Sequence, residues 1–151
     1  MPDEKVEAAK AASTSQVLFK AARLLNNRAV DRVRRRANLP KLRGSHTSLF
    51  PHIQIDGGTR LTDLAAALGV SKQATAQLVD ELVEMGVLTR LPDPDDGRAK
   101  RIAYARGSDS VMDGLSLLGE LEREVADAIG EDTMNDLHRG LTALLAHLEG
   151  R

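Results

Sequence analysis

Cysteine and tryptophan are absent from this sequence, and its aromatic residues amount to 2%: Phe19, Phe50 and Tyr104. Without cysteine there is no disulfide framework, no thiol redox sensor and no cysteine-ligated zinc. With so few rings, single-stranded nucleic acid would find no stacking platform. No apolar run approaches the ~20 residues needed to cross a bilayer. The N-terminus also lacks the apolar core of a signal peptide, so a cytoplasmic protein without a membrane partner is expected. The four histidines, His46, His52, His138 and His147, include no pair at the i, i+4 spacing of a helical metal site. Ser-His-Asp and Cys-His sets, a phosphate-cradling glycine loop and an acid pair in an obvious cleft are also missing. The expectation is therefore no catalytic residue, no metal, no cofactor and no enzyme.

What is present is ample apolar material, 42% of 151 residues, enough for a single domain or for two intimately packed lobes. The net charge of -1 hides an uneven distribution. Lys20, Arg23, Arg28, Arg32, Arg34, Arg35, Arg36, Lys41 and Arg43 form a basic block opposed there only by Asp31. From Asp109 onward acids dominate. The basic region thus suits phosphates and the acidic region turns away from them.

Residues 61–107 organise the chain. Two short helical patterns meet at a tight corner, and two extended segments follow, joined by a charged, turn-rich loop. Thr62 is expected to cap the first helix, with Leu64, Ala65 and Leu68 on one face. Gly69 suits the left-handed end of that helix, and Val70 is expected to tuck into the corner. Ser71 then caps a second helix, with Ala74, Leu78, Leu82 and Met85 facing inward. Lys72, Gln73, Ala76, Gln77 and Asp80 face outward, with Thr75 at the edge. Small hydrogen-bonding side chains near its start suit a helix whose N-terminal half enters a major groove. The turn Pro92-Asp93-Pro94-Asp95-Asp96-Gly97 fails as a calcium loop, because prolines fall where ligands belong.

Residues 1–14 read as a polar tail. Residues 15–58 read as a long helix, with Leu18, Leu25, Ala29 and Val33 in its stripe, followed by a shorter one interrupted by Pro51. Residues 59–107 form the helix-turn-helix and hairpin, with Thr59-Arg60 a tiny strand. Residues 108–151 carry two further helices, the first capped by Ser108 or Ser110. Their apolar stripes exceed what a small core can cover, and a second copy is the economical cover.

The segment resembles the DNA-binding half of the MarR family of bacterial transcription regulators. The resemblance rests on Leu64-Ala65, Gly69-Val70-Ser71, Leu78-Val79-Asp80-Glu81-Leu82, Gly86-Val87-Leu88, Arg90 and the run from Asp93 to Lys100, with Asp96 and Arg98 as the wing signature. It implies a mainly α fold with a small β-hairpin wing, a winged helix-turn-helix flanked by N- and C-terminal dimerisation helices. It also implies a homodimer on a pseudo-palindromic operator, with repression as the default. Ser71, Lys72, Gln73, Thr75 and Gln77 are then the base-edge and phosphate contacts. Asp96 would orient Arg98 through a charge-assisted hydrogen bond, and Arg98 would enter the minor groove. Lys100 is a further wing contact, and Arg90 would meet the DNA backbone. His46 and His52 fall near where the family's small effectors bind, and the effector expected is anionic or aromatic. A solvated helix end is the plainer reading of the Arg32–Arg36 cluster with Lys41 and Arg43; phosphate contact and holding an anionic ligand are its alternatives. The competing function is a winged-helix protein-interaction module without DNA binding, and a third reading is a small-molecule carrier.

Overall fold

The computed structural model describes residues 2–107 and 110–151. Of the two caps expected for the helix after the hairpin, Ser108 lies outside the described residues and Ser110 is already the first residue of that helix. The described residues contain seven α-helices and one three-stranded antiparallel sheet.

Helix α1, Pro2–Ala12, occupies the stretch read as a polar tail. It ends where Ser13 accepts the backbone N–H of Gln16 and starts α2, Thr14–Arg36. The serine is a cap that stops one helix and starts the next. Helix α2 buries only Val30, while Val17, Phe19, Leu24 and Leu25 are exposed. Asn38, at φ 54°, turns the chain after α2. The expected single second helix is two short pieces, α3 at Gly44–Thr47 and a 3-10 turn at Phe50–His52. Pro51 is the reason, since its ring suits the first turn of a helix and not the interior.

Strand β1 is Thr59–Arg60, as expected, and leads directly into α4, Leu61–Leu68. Thr62 does not cap α4. Arg60 holds the cap position with no side-chain bond, because the extended β1 backbone runs straight into the helix. Gly69 closes α4 at φ 67°, a left-handed conformation that glycine adopts without a Cβ penalty. Val70 is 45% exposed rather than tucked into the corner. Ser71 caps α5, Lys72–Glu84, by accepting from the Ala74 N–H at 3.1 Å. Strands β2, Leu88–Pro92, and β3, Lys100–Tyr104, form the hairpin. The sheet order is β1-β3-β2, so β3 is central, with Ile102 opposite both Thr59 and Arg90.

Leu42, Leu49, Ile53, Leu64, Val79, Leu82, Val87, Leu88 and Ile102 make one buried cluster under α5 and the sheet. Each such aliphatic side chain contributes roughly 1.5–3 kcal/mol by leaving water. Tyr104 closes the cluster's edge, its hydroxyl donating to the Phe50 carbonyl at 3.2 Å. Burial raises the Tyr104 phenol above its usual range.

The described residues up to Gly114 form one compact unit and Leu115–Arg151 a second. Helix α6, Ser110–Ile129, crosses that boundary, and α7, Glu131–Leu148, lies wholly in the second unit. On α7, Leu137, Leu141, Leu144, Leu145 and Leu148 are exposed.

Two glycines before β1 give a paired test. Both have positive φ, but a Cβ on Gly58 would sit 2.5 Å from the Ile102 carbonyl oxygen, whereas one on Gly57 meets nothing. Gly57→Ala should cost about 1–2 kcal/mol, the left-handed penalty alone. Gly58→Ala should cost more, because β1 must also move off β3. Urea midpoints of the two variants would check this ordering.

Candidate nucleic-acid interface

Helix α5 presents its exposed face through Ser71, Lys72, Gln73, Ala74 and Gln77, while Thr75, Val79 and Leu82 are buried. Leu82 is buried and Leu78 and Met85 pack against the core as expected, but Thr75 and Val79 also turn inward, and Ala74, expected inward, is exposed. Thr75 is corrected: it is fully buried, and its hydroxyl donates to the Ser71 carbonyl at 2.9 Å. A β-branched residue one turn in satisfies its own hydroxyl this way and packs its methyl on the core. It supports the helix start and offers nothing to a base. The side chains of Lys72, Gln73 and Gln77 engage no partner among the described residues and stand open to a ligand.

The second half of α5 is acidic, with Asp80, Glu81 and Glu84. Two of these acids are matched by cations from other elements. Asp80 accepts from the Arg90 guanidinium of β2. Arg90, expected on the DNA backbone, is thus occupied within the protein. Glu81 accepts from the Arg43 guanidinium and lies 2.6 Å from His46 Nε2. Hydrogen bonds from His46 first and Arg43 second hold the Glu81 carboxyl below the usual range.

This overturns the reading of His46 as an effector ligand. The ring is fully buried. Its Nδ1 accepts the backbone N–H of Arg43 at 2.9 Å, which leaves Nε2 to donate to Glu81. Both nitrogens are used, and the residue pins α3 to α5. His52 is exposed on the 3-10 turn, where its carbonyl accepts from the Thr59 hydroxyl at 3.2 Å. The two histidines do not converge on one described pocket. Among the described residues no group of His, Asp or Glu is disposed to hold a metal.

The wing is built on a buried carboxylate. Asp93 follows β2 with its side chain inside, 2.6 Å from the Arg60 Nε of β1 and 3.5 Å from the Arg101 Nε of β3. It also accepts the Asp95 N–H at 2.9 Å. The Arg60 bond first, then that backbone bond, lower the Asp93 carboxyl to about 2. Asp93 thereby ties all three strands at the root of the loop. Arg101 is held inward by this arrangement, while Lys100 is exposed.

At the tip, Asp96 accepts the backbone N–H of Arg98 at 3.0 Å. The expected bond to the guanidinium is absent. The aspartate forms a local turn that shapes the loop, and the Arg98 side chain is exposed with no partner among the described residues.

Known proteins share this fold. Residues 43–99 match the model of the MarR family. Over these residues the lobe is similar to the winged helix-turn-helix of the MarR family. Wild-type MarR from E. coli in its apo form superposes at TM-score 0.61 with 20% identity, over 85% of this chain and 96% of that one. The transcriptional repressor CouR bound to a 23-mer DNA duplex gives TM-score 0.69 and 18% identity, over 89% and 94%. CouR from Rhodococcus jostii RHA1 bound to p-coumaroyl-CoA gives 0.64 and 22%, over 89% and 93%. The mainly α architecture with a small wing is thus shared along most of the chain. No helix among the described residues is long and apolar enough to cross a membrane.

The buried Asp93 has a pH signature. Its carboxyl is lowered from the 3.8 of a free group to about 2, so its contribution is fully present above about pH 4 and fades as the pH falls through that window. Asp93→Asn should lower the urea midpoint at about pH 5, and the gap to wild type should narrow toward about pH 3. A gap independent of pH would show that the charge of Asp93 is not what holds the wing.

Proposed function

We propose that this chain is a MarR-family regulator, a sequence-specific, double-stranded DNA-binding transcriptional regulator, acting as a repressor from the cytoplasm. The observation that carries the reading is the unpartnered polar face of α5, with Lys72, Gln73 and Gln77, on the same lobe as the unpartnered Arg98 of the wing. Their neighbours Thr75, Asp80, Glu81 and Arg90 are all bonded within the protein, so these open donors stand out as groups free for a ligand. Gln73 and Gln77 can pair with adenine edges, and the Ala74 methyl can meet a thymine methyl. Lys72 and Lys100 suit phosphates, and the Ser71 hydroxyl can still donate while it caps the helix. Arg98 suits a narrow minor groove, where negative potential is concentrated.

The unit of action is a homodimer. Support comes from the apolar side chains left exposed on α2, Phe19 and Leu24 among them, and on α7 from Leu137 to Leu148. Two copies would place two α5 helices in successive major grooves of a pseudo-palindrome, about one turn apart. The similar protein bound to p-coumaroyl-CoA supports a small effector here too. It would act through unequal affinity for the DNA-ready and DNA-unready states.

Fluorescence anisotropy with duplex DNA from upstream of the protein's own gene tests this. Wild type should bind specifically, with affinity falling steeply as salt rises. Arg98→Ala and Gln77→Ala should each weaken binding by roughly 1–3 kcal/mol, the scale of one good groove contact. Equal, weak binding of wild type and variants to every duplex, including duplexes selected from genomic fragments, would favour a protein-interaction module.

A further inference from the structure

We propose that the corner joining α2 to α3 is a second DNA-backbone surface, gripping the phosphates beside the groove that α5 enters. The proposal rests on the DNA-binding reading above and extends it to residues outside the helix-turn-helix and wing.

The charge of α5 poses the problem. One lysine, Lys72, stands against Asp80, Glu81 and Glu84. A helix of that sign entering a cleft walled by phosphates is repelled unless cations flank it. Asp80 is covered by Arg90 and Glu81 by Arg43. Those pairs cancel repulsion but leave no surplus positive charge on that side of α5.

The uncommitted cation on that side is at the corner. A groove of about 670 Å³ runs between the flank of α5 and the end of α2. Arg34, Lys41 and Arg43 line one wall, and Gln77, Glu81 and Glu84 line the other. Gln77 belongs both to this groove and to the exposed face of α5, so the groove opens onto the DNA-reading surface. Its cations are held in place. The Arg34 guanidinium donates to the Leu42 carbonyl and to Asp31 at 3.4 Å. Leu42 is buried between Lys41 and Arg43, which anchors the backbone they share. Pro40 stiffens the approach. Lys41 is exposed, and its ammonium meets no carboxylate among the described residues. It is the free cation, and a phosphodiester is the ligand an exposed ammonium on a fixed backbone suits. Glu84, on the facing wall, has no partner among the described residues and opposes the same phosphates.

The test is anisotropy with the specific duplex and a scrambled one, across roughly 50 to 200 mM salt, the range in which phosphate contacts declare themselves. The proteins are wild type, Lys41→Gln, Lys41→Glu and Glu84→Gln. Lys41→Gln should weaken both duplexes by the same factor, on the order of tenfold, and lower the salt slope by about 0.9 per protomer. Lys41→Glu should weaken them further, and Glu84→Gln should strengthen both. Thermal melts should match wild type, because both positions are exposed and bonded to nothing. If wild type binds with a steep salt slope and both Lys41 variants keep its affinity and slope, the corner does not touch DNA and only this proposal falls. If Lys41→Gln weakens the specific duplex alone, the residue is not a phosphate contact. If wild type binds no duplex, the DNA-binding reading falls and this one with it.

Discussion

Glu81 lies on the flank of α5, where it accepts from the buried His46 and from Arg43. His46 in turn accepts the Arg43 backbone N–H, so two side chains from the α2–α3 corner close on one carboxylate, and the ring of one is held by the backbone of the other. The hydrophobic cluster beneath, with Val79 and Leu82 of α5, is non-directional and would tolerate rotation of the helix about its axis. Hydrogen bonds do not. The Glu81 junction therefore selects which face of α5 is turned outward. Arg90 on Asp80 braces the helix from the sheet side, and the inward hydroxyl of Thr75 braces its first turn.

The wing is fixed by the same logic. Asp93 would be destabilising inside the protein if it were unpaired, so its burial demands Arg60 and a backbone donor. In meeting that demand the chain ties β1 to the root of the hairpin, and β1 runs directly into α4. The wing and the helix-turn-helix are therefore one rigid construction. Side chains displayed on such a frame lose little conformational freedom when they meet a ligand, and that is what preorganisation contributes to affinity.

Much of this is legible in the sequence where the signal is local. Gly69 and Gly86 mark helix ends by their conformational freedom, Ser71 marks a start, and the proline- and aspartate-rich loop marks a hairpin tip. The MarR resemblance rests on those residues and on the loop. The first turn of α5 is not legible. Leu78, Leu82 and Met85 face the core as the pattern predicts, but Ala74 is as good an apolar candidate as Thr75, and only the surroundings of the first turn decide between them. His46 misleads because its partner Glu81 lies far along the chain, and because burial of one histidine leaves no periodic trace. Asp96 misleads for a local reason, since an aspartate two residues before an arginine can reach either its guanidinium or its backbone N–H. The Asp93 tie to Arg60 spans 33 positions and has no motif at all.

The central claim is that one lobe presents two elements, the first half of α5 and the wing tip, to the same duplex. Hydrogen–deuterium exchange with and without a bound duplex reads that claim directly. The account predicts DNA-dependent protection at residues 71–77 and 95–100, appearing together. Protection of only one of these stretches, or protection confined to α6 and α7, would contradict it.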